Sequence, residues 1–289
     1  MAAPAANPGR WWPAPAKLNL FLHITGRRAD GYHDLQTLFQ LVDWGDDIAF
    51  EVTEEPRIER IEGPAAIPAE QDLVVRAASA LQAASGARRG ARIRVRKRIP
   101  PGGGLGGGSS DAATVLRVLN RLWDTGWSVE ALAGLGLTLG ADVPVFVRGS
   151  SAWAQGRGEQ LTPVEVPEAW YLIVYPGVAV PTADIFQAPE LTRNSPLITI
   201  RAVSLAGTRN DCEIVVRARY PAVAAALDWL DVRAGGTARL SGTGSCVYAA
   251  FGRAADAERV AARVPEEWKS FVARGVNRSP LAVALGEGA

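Results

Sequence analysis

The feature that most constrains the fold is a run of glycines near the middle of the chain. Six of the seven positions 102–108 are glycine. A backbone without Cβ atoms can adopt positive φ angles and lets a ligand approach closely. Before the run, residues 91–99 alternate apolar and basic side chains, which predicts a strand. After the run, apolar residues recur at helical spacing, which predicts a helix (Ala112, Val115, Leu116, Leu119 and Leu122).

A glycine loop between a strand and a helix brings backbone N–H groups and the helix N-terminus to one point, which suits a di- or triphosphate. The loop is therefore predicted to bind the phosphates of ATP (Pro101, Gly102, Gly103, Gly104, Leu105, Gly106, Gly107, Gly108, Ser109, Ser110 and Asp111). Its last three residues are types that cap helices, and the two hydroxyls suit phosphate oxygens or Mg²⁺. A flexible hairpin or linker is the alternative interpretation.

Two other phosphate-binding motifs fit this loop less well. A Walker loop requires Gly-Lys-Ser/Thr at its end, and no lysine precedes Ser109. The spacing of Gly102, Gly104 and Gly107 matches a dinucleotide fingerprint, but no strand ending in an acid follows at the expected offset. The sequence therefore indicates a phosphate loop of another type.

Phosphoryl transfer also needs a base or orienting group for the acceptor hydroxyl, and a charge that steadies it. Asp142 is an acid within an otherwise apolar segment, residues 139–146, where a helix cap is the alternative role. Lys17 follows Pro15 and Ala16 at the predicted start of the first strand, where lysines are usually solvated. Neither residue is convincing alone.

Bulk composition excludes several classes of function. The formal net charge is +1, which argues against nucleic acid or an anionic membrane as partner. The basic residues between Arg88 and Arg98 fit a strand with one solvated face, and an anion-attracting surface is the alternative. Two cysteines, Cys212 and Cys246, are too few for a disulfide framework. With no secretory signal and no membrane-length apolar stretch, we expect a cytoplasmic protein.

The order of the predicted elements is mixed α+β. Strands are predicted at residues 16–24, 48–52, 171–174, 247–251 and 271–276, and helices at 73–81, 129–135, 220–230 and 254–264. The pattern restarts after Pro163, which predicts two domains. We expect a disordered tail at residues 1–11, an ATP-binding domain at 12–163 and a second domain at 164–289.

Several segments together resemble the superfamily of galactokinase, homoserine kinase, mevalonate kinase and phosphomevalonate kinase. They are residues 15–20, 28–33, 102–113, 139–146, 210–211 and 240–245. The glycine loop is typical of the whole superfamily. The segment Arg-Ala-Asp-Gly-Tyr-His at 28–33 indicates the branch whose acceptor carries a cytidine diphosphate group.

The resemblance implies a role for each matching residue. Asp142 would be the base, with Lys17 steadying the developing alkoxide, and Asn19 would help to orient the substrate. Tyr32 would stack on the cytosine and His33 would make polar contacts to its edge. Two further substrate-binding residues are implied, with Phe186 as the opposite stacking face (Thr182 and Phe186). The second glycine turn, residues 241–245, would close over the site, and a tight hairpin turn is its alternative.

The resemblance also implies the fold and the reaction. The N-terminal domain would be like the second domain of ribosomal protein S5, the C-terminal domain would be ferredoxin-like, and the active site would lie in the cleft between them. ATP, with Mg²⁺, would phosphorylate the 2-hydroxyl of 4-diphosphocytidyl-2-C-methyl-D-erythritol, giving the 2-phosphate and ADP in the non-mevalonate route to isoprenoids. We expect no dedicated metal-binding side chains, no nucleic-acid or membrane partner, and a monomer or weak homodimer.

Overall fold

The computed structural model describes residues 9–199, 205 and 207–287. Within them the strands are β1 (Trp11–Arg27), β2 (His33–Thr53), β3 (Ile58–Glu62), β4 (Gly90–Arg96), β5 (Ala152–Gln155), β6 (Gln160–Pro163), β7 (Trp170–Tyr175), β8 (Arg239–Leu240), β9 (Val247–Phe251) and β10 (Lys269–Val276). The helices are α1 (Leu73–Ser85), α2 (Gly107–Leu122), α3 (Val129–Leu137), α4 (Val143–Arg148), α5 (Thr182–Phe186), α6 (Glu213–Arg219), α7 (Pro221–Arg233), α8 (Ala254–Ala261) and α9 (Pro280–Ala284). The predicted α+β class is confirmed.

Strands β1 and β2 form a long antiparallel ribbon, on which the rest of the first half is built. The sequence predicts a strand at residues 48–52, and the structure extends it, because β2 is continuous from His33 to Thr53 and runs through Trp44 and Gly45. Gly45 lies opposite Pro15, and a Cβ there would lie 2.1 Å from the carbonyl oxygen of Ala14. The glycine is therefore needed for close approach of two strands rather than for a turn.

The first half of the chain builds one layered core around this ribbon. Strand β4 pairs with β2 in antiparallel register and with β3 in parallel register, and β5 joins β2 to β6. Helices α1, α2, α3 and α4 pack together, and α2 packs against both strands of the ribbon. Their apolar faces bury residues such as Leu81, Leu116 and Phe146. The sheet and helices position the glycine loop between β4 and α2.

The second half has ferredoxin-like topology, as expected. Its elements run β7, then helices, β8, β9, α8 and β10, and the strands lie in the order β10-β7-β9-β8. That order, with the fourth strand beside the first and the third beside the second, is produced by a βαββαβ chain path. Helices α7 and α8 pack on the sheet over a second core that includes Leu172, Val223 and Ala249.

A shared sheet and a shared apolar cluster help to join the halves. Strand β10 pairs with β2 through Gly275 and Val276, so that one sheet continues from the first half into the second. A third apolar cluster fills the junction, with Leu18 and Leu20 of β1 against Ile173 and Tyr248. Helix α9 then returns to the first half, where it packs against β1. The domain boundary near residue 163 stays a prediction.

The end of the predicted N-terminal tail, residue 11, is part of a strand. Residues 1–8 lie outside the described residues, but Trp11 begins β1 and is therefore not part of a tail. The guanidinium of Arg10 lies 3.8 Å from the ring centroid of Trp12, a cation–π contact.

Most of the arginines around β4 are exposed, as the alternation predicts (Arg88, Arg89, Arg92, Arg96 and Arg98). Arg92 pairs with Glu51 at 3.4 Å, and Arg98 pairs with Asp47 at 3.1 Å. The guanidinium of Arg96 lies 3.7 Å from the ring centroid of Trp11. These exposed contacts contribute little each.

Both cysteines are free and buried, as the sequence indicates. Burial raises the pKa of the Cys212 thiol to about 12, which keeps it protonated and unreactive. Among the described residues, no helix combines the length and apolarity needed to cross a bilayer.

Candidate active site

The glycine loop leads into a helix whose first turn is free of side-chain caps. Helix α2 begins at Gly107, and its N-cap Gly106 has φ of 73° and no side chain to bond the first N–H groups. The first N–H groups of a helix have no partner within the helix, and they carry the positive end of its dipole. The end of the loop can therefore receive an anion.

Ser109, Ser110 and Asp111 do not cap α2, contrary to the prediction. They lie inside its first turns, because the helix starts before them at Gly107. The Ser110 hydroxyl is buried and donates to the carbonyl of Pro15 at 2.6 Å. Ser109 is half-buried, and a Cβ placed on Gly140 would lie 3.7 Å from its Oγ. Ser110 is therefore committed to the interior, whereas Ser109 stays partly exposed beside Gly140.

Asp111 belongs to a charge cluster beside the first turn of α2, in which two carboxylates are buried and the Lys97 side chain is partly exposed. Its Oδ2 lies 2.6 Å from Nζ of Lys97, which also pairs with Asp46 at 2.5 Å. Burial, partly opposed by Lys97 and reinforced by Asp46, raises the pKa of Asp111 to about 7. Nζ of Lys97 would lie 3.4 Å from a Cβ on Gly107. The cluster therefore braces the first turn of α2 from below.

Lys17 and Asp142 meet at the mouth of the glycine loop. Nζ of Lys17 lies 3.5 Å from Oδ2 of Asp142, and it donates to the carbonyl of Gly104 at 2.9 Å and to Oδ1 of Asn19. Burial lowers the pKa of Lys17, although the Asp142 carboxylate opposes the shift. Contrary to the solvated alternative, Lys17 lies within β1 and is buried. The pair offers a carboxylate whose position is fixed by an ammonium.

Asp142 is free for chemistry although it begins a helix. It is the residue before α4, but its side chain makes no capping hydrogen bond. Its side chain is 34% exposed, whereas that of Lys17 is 4% exposed. Asn19, in contrast, is buried, and its amide nitrogen donates to Thr37 at 2.9 Å. Asn19 thus connects Lys17 to β2.

The second glycine turn, residues 241–245, backs the first loop directly. The Ser241 hydroxyl donates to the carbonyl of Gly104 at 3.0 Å. The backbone N–H groups of Ser245 and Cys246 donate to the carbonyls of Gly102 and Gly103, each at 3.0 Å. A Cβ on Gly104 would lie 2.1 Å from the carbonyl oxygen of Ser241. The two turns interlock, which is a more specific arrangement than the hairpin alternative.

The segment Asn210-Asp211 supports this turn rather than facing the loop. The Asn210 amide donates to the carbonyls of Leu240 and Gly242 at 2.9 and 2.7 Å. The Asp211 carboxylate accepts from the backbone N–H of Ile24 at 2.7 Å. Both residues are buried, so their polar atoms hold the second turn against β1.

Two of the residues predicted to bind the cytosine, Tyr32 and His33, lie at the end of the β1–β2 ribbon. Tyr32 is 57% exposed, whereas His33 is buried, with its ring centroid 5.3 Å from that of Phe186. Burial, with help from Arg193 and Arg27, lowers the pKa of His33. Thr182 lies further on, with its hydroxyl 3.1 Å from that of Thr243 in the second glycine turn.

The turn between β5 and β6 connects this aromatic group to the carboxylate. The backbone N–H of Leu35 donates to the carbonyl of Gly156 at 2.7 Å, and the guanidinium of Arg157 lies 4.9 Å from the Tyr32 ring centroid. A Cβ on Gly158 would lie 4.0 Å from Oδ1 of Asp142. The turn thus runs from the aromatic group to the lysine–aspartate pair and carries one cation between them.

Several residues of this site are absent from the candidate set derived from the sequence, and four of them show why. They are Thr37, Lys97, Arg157 and Arg193. Lys97 lies among the other basic residues of the β4 segment, and only its pairing with two acids distinguishes it. Arg157 lies between two glycines, Gly156 and Gly158, which is a turn signal. Nothing in the local pattern distinguishes Arg193 or Thr37, because their partners are far away in the sequence.

Two family models match the chain. Residues 72–150 match the model described as "GHMP kinases N terminal domain", and residues 190–270 match "GHMP kinases C terminal". The 4-diphosphocytidyl-2-C-methyl-D-erythritol kinase of Halorhodospira halophila is 57% identical over 281 residues, which cover 96% of this chain and 97% of the relative. The Pseudomonas aeruginosa PAO1 protein of the same name is 54% identical over 269 residues, covering 93% and 95%.

Solved structures give the same relationship at the level of the fold. A crystal structure of a 4-(cytidine 5'-diphospho)-2C-methyl-D-erythritol kinase matches with a TM-score of 0.80 and 33% identity, covering 92% of this chain and 99% of the other. A mevalonate kinase matches with a TM-score of 0.67 and 15% identity, covering 93% and 100%. At that identity the second likeness concerns the fold alone.

Proposed function

This chain belongs to the GHMP kinase family, and we propose that it uses ATP to phosphorylate the 2-hydroxyl of 4-diphosphocytidyl-2-C-methyl-D-erythritol. The products are the 2-phosphate and ADP, and the reaction belongs to the non-mevalonate route to isoprenoids. The observation that carries the proposal is the Lys17–Asp142 pair at the mouth of a glycine loop. A carboxylate beside a phosphate-binding loop is what transfer to an alcohol requires.

The loop would bind the phosphates of ATP mainly through backbone groups. The uncapped first turn of α2 supplies N–H donors and the helix dipole, both of which attract an anion. The proposed contacts extend from Pro101 to Asp111. The Ser110 and Asp111 side chains are engaged in the interior, so their contribution would be through the backbone and through support of the turn.

Proton transfer would use the exposed face of the lysine–aspartate pair. Asp142 would accept the proton of the acceptor hydroxyl as the oxygen attacks the γ-phosphorus. Lys17 would offset the negative charge that develops on the same oxygen, as a compact point charge can. Asn19 would keep the ammonium in position through its bond to Nζ, in addition to the role in substrate orientation that the resemblance implies.

The cytidine end of the substrate would bind about the tip of the ribbon. Tyr32 offers an exposed aromatic face, and His33 with Phe186 forms a second aromatic group beside it. Stacking between an aromatic side chain and a base contributes roughly 1–3 kcal/mol. Thr182 would contact the substrate between this region and the second glycine turn. The cytosine would bind here and the reacting hydroxyl would lie at Asp142, so that the substrate would extend between these two regions.

Mg²⁺ would arrive with ATP and neutralise charge on its phosphates. No group of three or more His, Cys, Asp or Glu side chains suited to a metal occurs within the described ranges. The Ser109 hydroxyl fits a supporting ligand, because Ser109 lies in the first turn of α2 and is only half-buried. The protein would thus hold the ion mainly through the nucleotide.

Other properties of the enzyme are also proposals. Two buried free thiols suit a reducing compartment, and we propose that the enzyme acts in the cytoplasm as a monomer or weak homodimer. The two domains would divide near residue 163, with the site in the cleft between them. A near-neutral net charge of +1 supports a small-molecule substrate without a nucleic-acid or membrane partner.

The test is ADP release with Mg²⁺ and ATP, with each acceptor supplied separately. We expect turnover with 4-diphosphocytidyl-2-C-methyl-D-erythritol and loss of turnover in Asp142→Ala. Homoserine and mevalonate are the comparison acceptors, because kinases acting on them share the fold at 15–16% identity. Turnover of either of these alone would refute the proposed substrate while leaving the kinase family intact.

A further inference from the structure

One arginine holds both the His33 ring and the segment that carries Phe186. Nε of Arg193 donates to Nε2 of His33 at 3.0 Å. Its other donors bond the carbonyls of Leu191 at 3.0 Å, Phe186 at 3.0 Å and Ala188 at 2.7 Å. Four of the five guanidinium N–H groups are thereby used. The position of the imidazole is coupled to that of the Phe186 backbone through a single rigid side chain.

The bond to Arg193 determines which ring nitrogen of His33 carries the proton. Arginine can only donate, so Nε2 must accept with its lone pair. A neutral imidazole with a bare Nε2 carries its proton on Nδ1. The charged groups that act on the ring, Arg193 and Arg27, are both cations, and they disfavour the imidazolium in addition to burial. Among the described residues, the bond from Arg193 is the one hydrogen bond of this side chain, which leaves Nδ1–H available.

We propose that Arg193 is a positioning residue of the pyrimidine site, which fixes His33 as the neutral Nδ1–H tautomer and so presents one N–H donor to cytosine. This inference rests on the proposed substrate. Cytosine offers two neighbouring acceptors, O2 and N3, whereas N3 of uracil carries a proton. A fixed donor directed at N3 would therefore bond cytosine, whereas in uracil it would face a second N–H. Sites built around a required hydrogen bond reject analogues that cannot make it.

The tautomer can be read directly from the side-chain nitrogens. The chain has two histidines, so a ¹⁵N-histidine spectrum contains two imidazoles, and His33→Asn assigns them. At pH 7.5 we expect His33 to be protonated on Nδ1 and bare on Nε2. In Arg193→Met we expect a mixture of tautomers. An Nε2–H tautomer or an imidazolium in the unsubstituted protein would overturn the proposal, even if no Arg193 variant folded.

A matched control removes another arginine that bonds the same segment, Arg219 of helix α6. Arg219 donates to the carbonyl of Asp184 at 3.2 Å and to Glu190 at 2.9 Å, without bonding His33. In Arg219→Met we expect the tautomer of His33 to be unchanged. A tautomer mixture in this control as well would mean that general loosening of the segment, rather than the bond from Arg193, sets the ring state.

Kinetics separate the positioning role from a structural one. In Arg193→Met we expect the KM for the cytidine substrate to rise about tenfold, as for loss of one hydrogen bond, with kcat and the KM for ATP changed by less than about twofold. We also expect discrimination against the uridine analogue to weaken. An unchanged KM in an enzyme that turns over the cytidine substrate would overturn the proposal. If the unsubstituted enzyme ignores that substrate, the proposed function fails, and the spectrum still decides the tautomer.

Discussion

Lys17 and Asp142 form a pair 3.5 Å apart in which only one partner opens to solvent. The lysine is buried among Asn19, Gly104 and the base of the loop, whereas a third of the Asp142 side chain is accessible. This difference in exposure suits a catalytic base, because the ammonium that stabilises its charged form stays in a fixed position. The ammonium is held by groups of β1 and of the loop, and the carboxylate remains accessible to an incoming hydroxyl.

Replacing the base should affect turnover far more than binding. For Asp142→Asn we expect kcat to fall by about 10²–10⁴, because general-base assistance is lost while shape is kept. The KM for ATP should change little. Initial rates of ADP release measure both constants. Asp228→Asn, which removes an exposed carboxylate from α7, is the control. Unchanged phosphoryl transfer in Asp142→Asn would show that another group is the base.

The lowered pKa of Lys17 should be visible at alkaline pH. Burial is the larger cause and the Asp142 carboxylate opposes it, so the ammonium loses its proton below the usual 10.5. We therefore expect kcat to fall before pH 10.5. In Lys17→Arg the guanidinium stays charged, so kcat should be lower overall but the alkaline fall should move upward. Profiles of kcat against pH for the two proteins test this, and coincident alkaline limbs would contradict it.

The same shift has a defined sign for stability. A lysine whose pKa is lowered on folding binds its proton less tightly in the folded state than in the unfolded state. Its contribution to the free energy of unfolding therefore rises as pH increases from the lowered pKa to 10.5. As pH rises through this range, the urea concentration that unfolds the unsubstituted protein should increase relative to the concentration that unfolds Lys17→Arg.

The buried cluster of Lys97, Asp46 and Asp111 should show the opposite pH dependence. Burial raises the pKa of Asp111 from 3.8 to about 7, so its stabilising contribution is full below 3.8 and is lost as pH rises through about 7. We compare the free energy of unfolding of Asp111→Asn with that of the unsubstituted protein. We expect this difference to favour the variant by about 1–3 kcal/mol more at pH 8.5 than at pH 5.5. Urea unfolding at both pH values measures it.

Asp46→Asn is the informative control for that cluster. Asp46 also accepts from the backbone N–H of Ile99 at 2.8 Å, so its loss leaves a buried donor with a poorer partner. We expect this variant to be less stable at both pH values. Equal behaviour of the two asparagine variants would mean that the carboxylates share one role rather than two.

Gly104 should tolerate no side chain. A Cβ there would lie 2.1 Å from the carbonyl oxygen of Ser241, and the residue has φ of 73°. For Gly104→Ala we expect loss of the interlock, a fall in kcat/KM of at least about tenfold, and destabilisation of about 1–3 kcal/mol. Gly126→Ala is the matched control, because Gly126 also has a positive φ, of 70°, but a Cβ there would meet nothing within 4 Å. Similar losses in both variants would refute the specific role of Gly104.

The aromatic residues should act on one substrate only. For Tyr32→Ala and Phe186→Ala we expect the KM for the cytidine substrate to rise by about 5- to 100-fold, which is the loss of one stacking face. The KM for ATP should rise less. Arg157→Met should give a smaller increase, because the guanidinium lies over an exposed ring. Equal increases in the two KM values would remove the stacking hypothesis.

Local sequence patterns predicted most of the helices and strands. The predicted first and last residues were wrong where tertiary contacts determine them. Helix α2 follows from its apolar spacing, but its start was predicted too late because glycines have low helix propensity. Gly107 and Gly108 are helical all the same, since α2 packs against β1 and α1. Gly45 reads as a turn signal, yet the close approach of Ala14 makes it part of a strand.

The site divides in the same way. Lys17, Asp142 and the loop were predicted because each belongs to a recognisable segment, and the structure brings them together. That Asn19 bonds Lys17 and that Ser241 bonds Gly104 follow only from the folded chain. Arg193 is the clearest omission. Its partner His33 is distant in the sequence, and no periodic pattern indicates such a bond.

The interlocked glycine turns also affect how the protein becomes functional during synthesis. The chain emerges from its N-terminus, and the predicted catalytic pair is complete once residue 142 has been made. The backbone bonds that secure Gly102 and Gly103 come from Ser245 and Cys246, more than a hundred residues later. A nascent chain can therefore hold every reacting group and still lack a rigid nucleotide cradle, so that competence for ATP begins only after residues 245 and 246 have been synthesised.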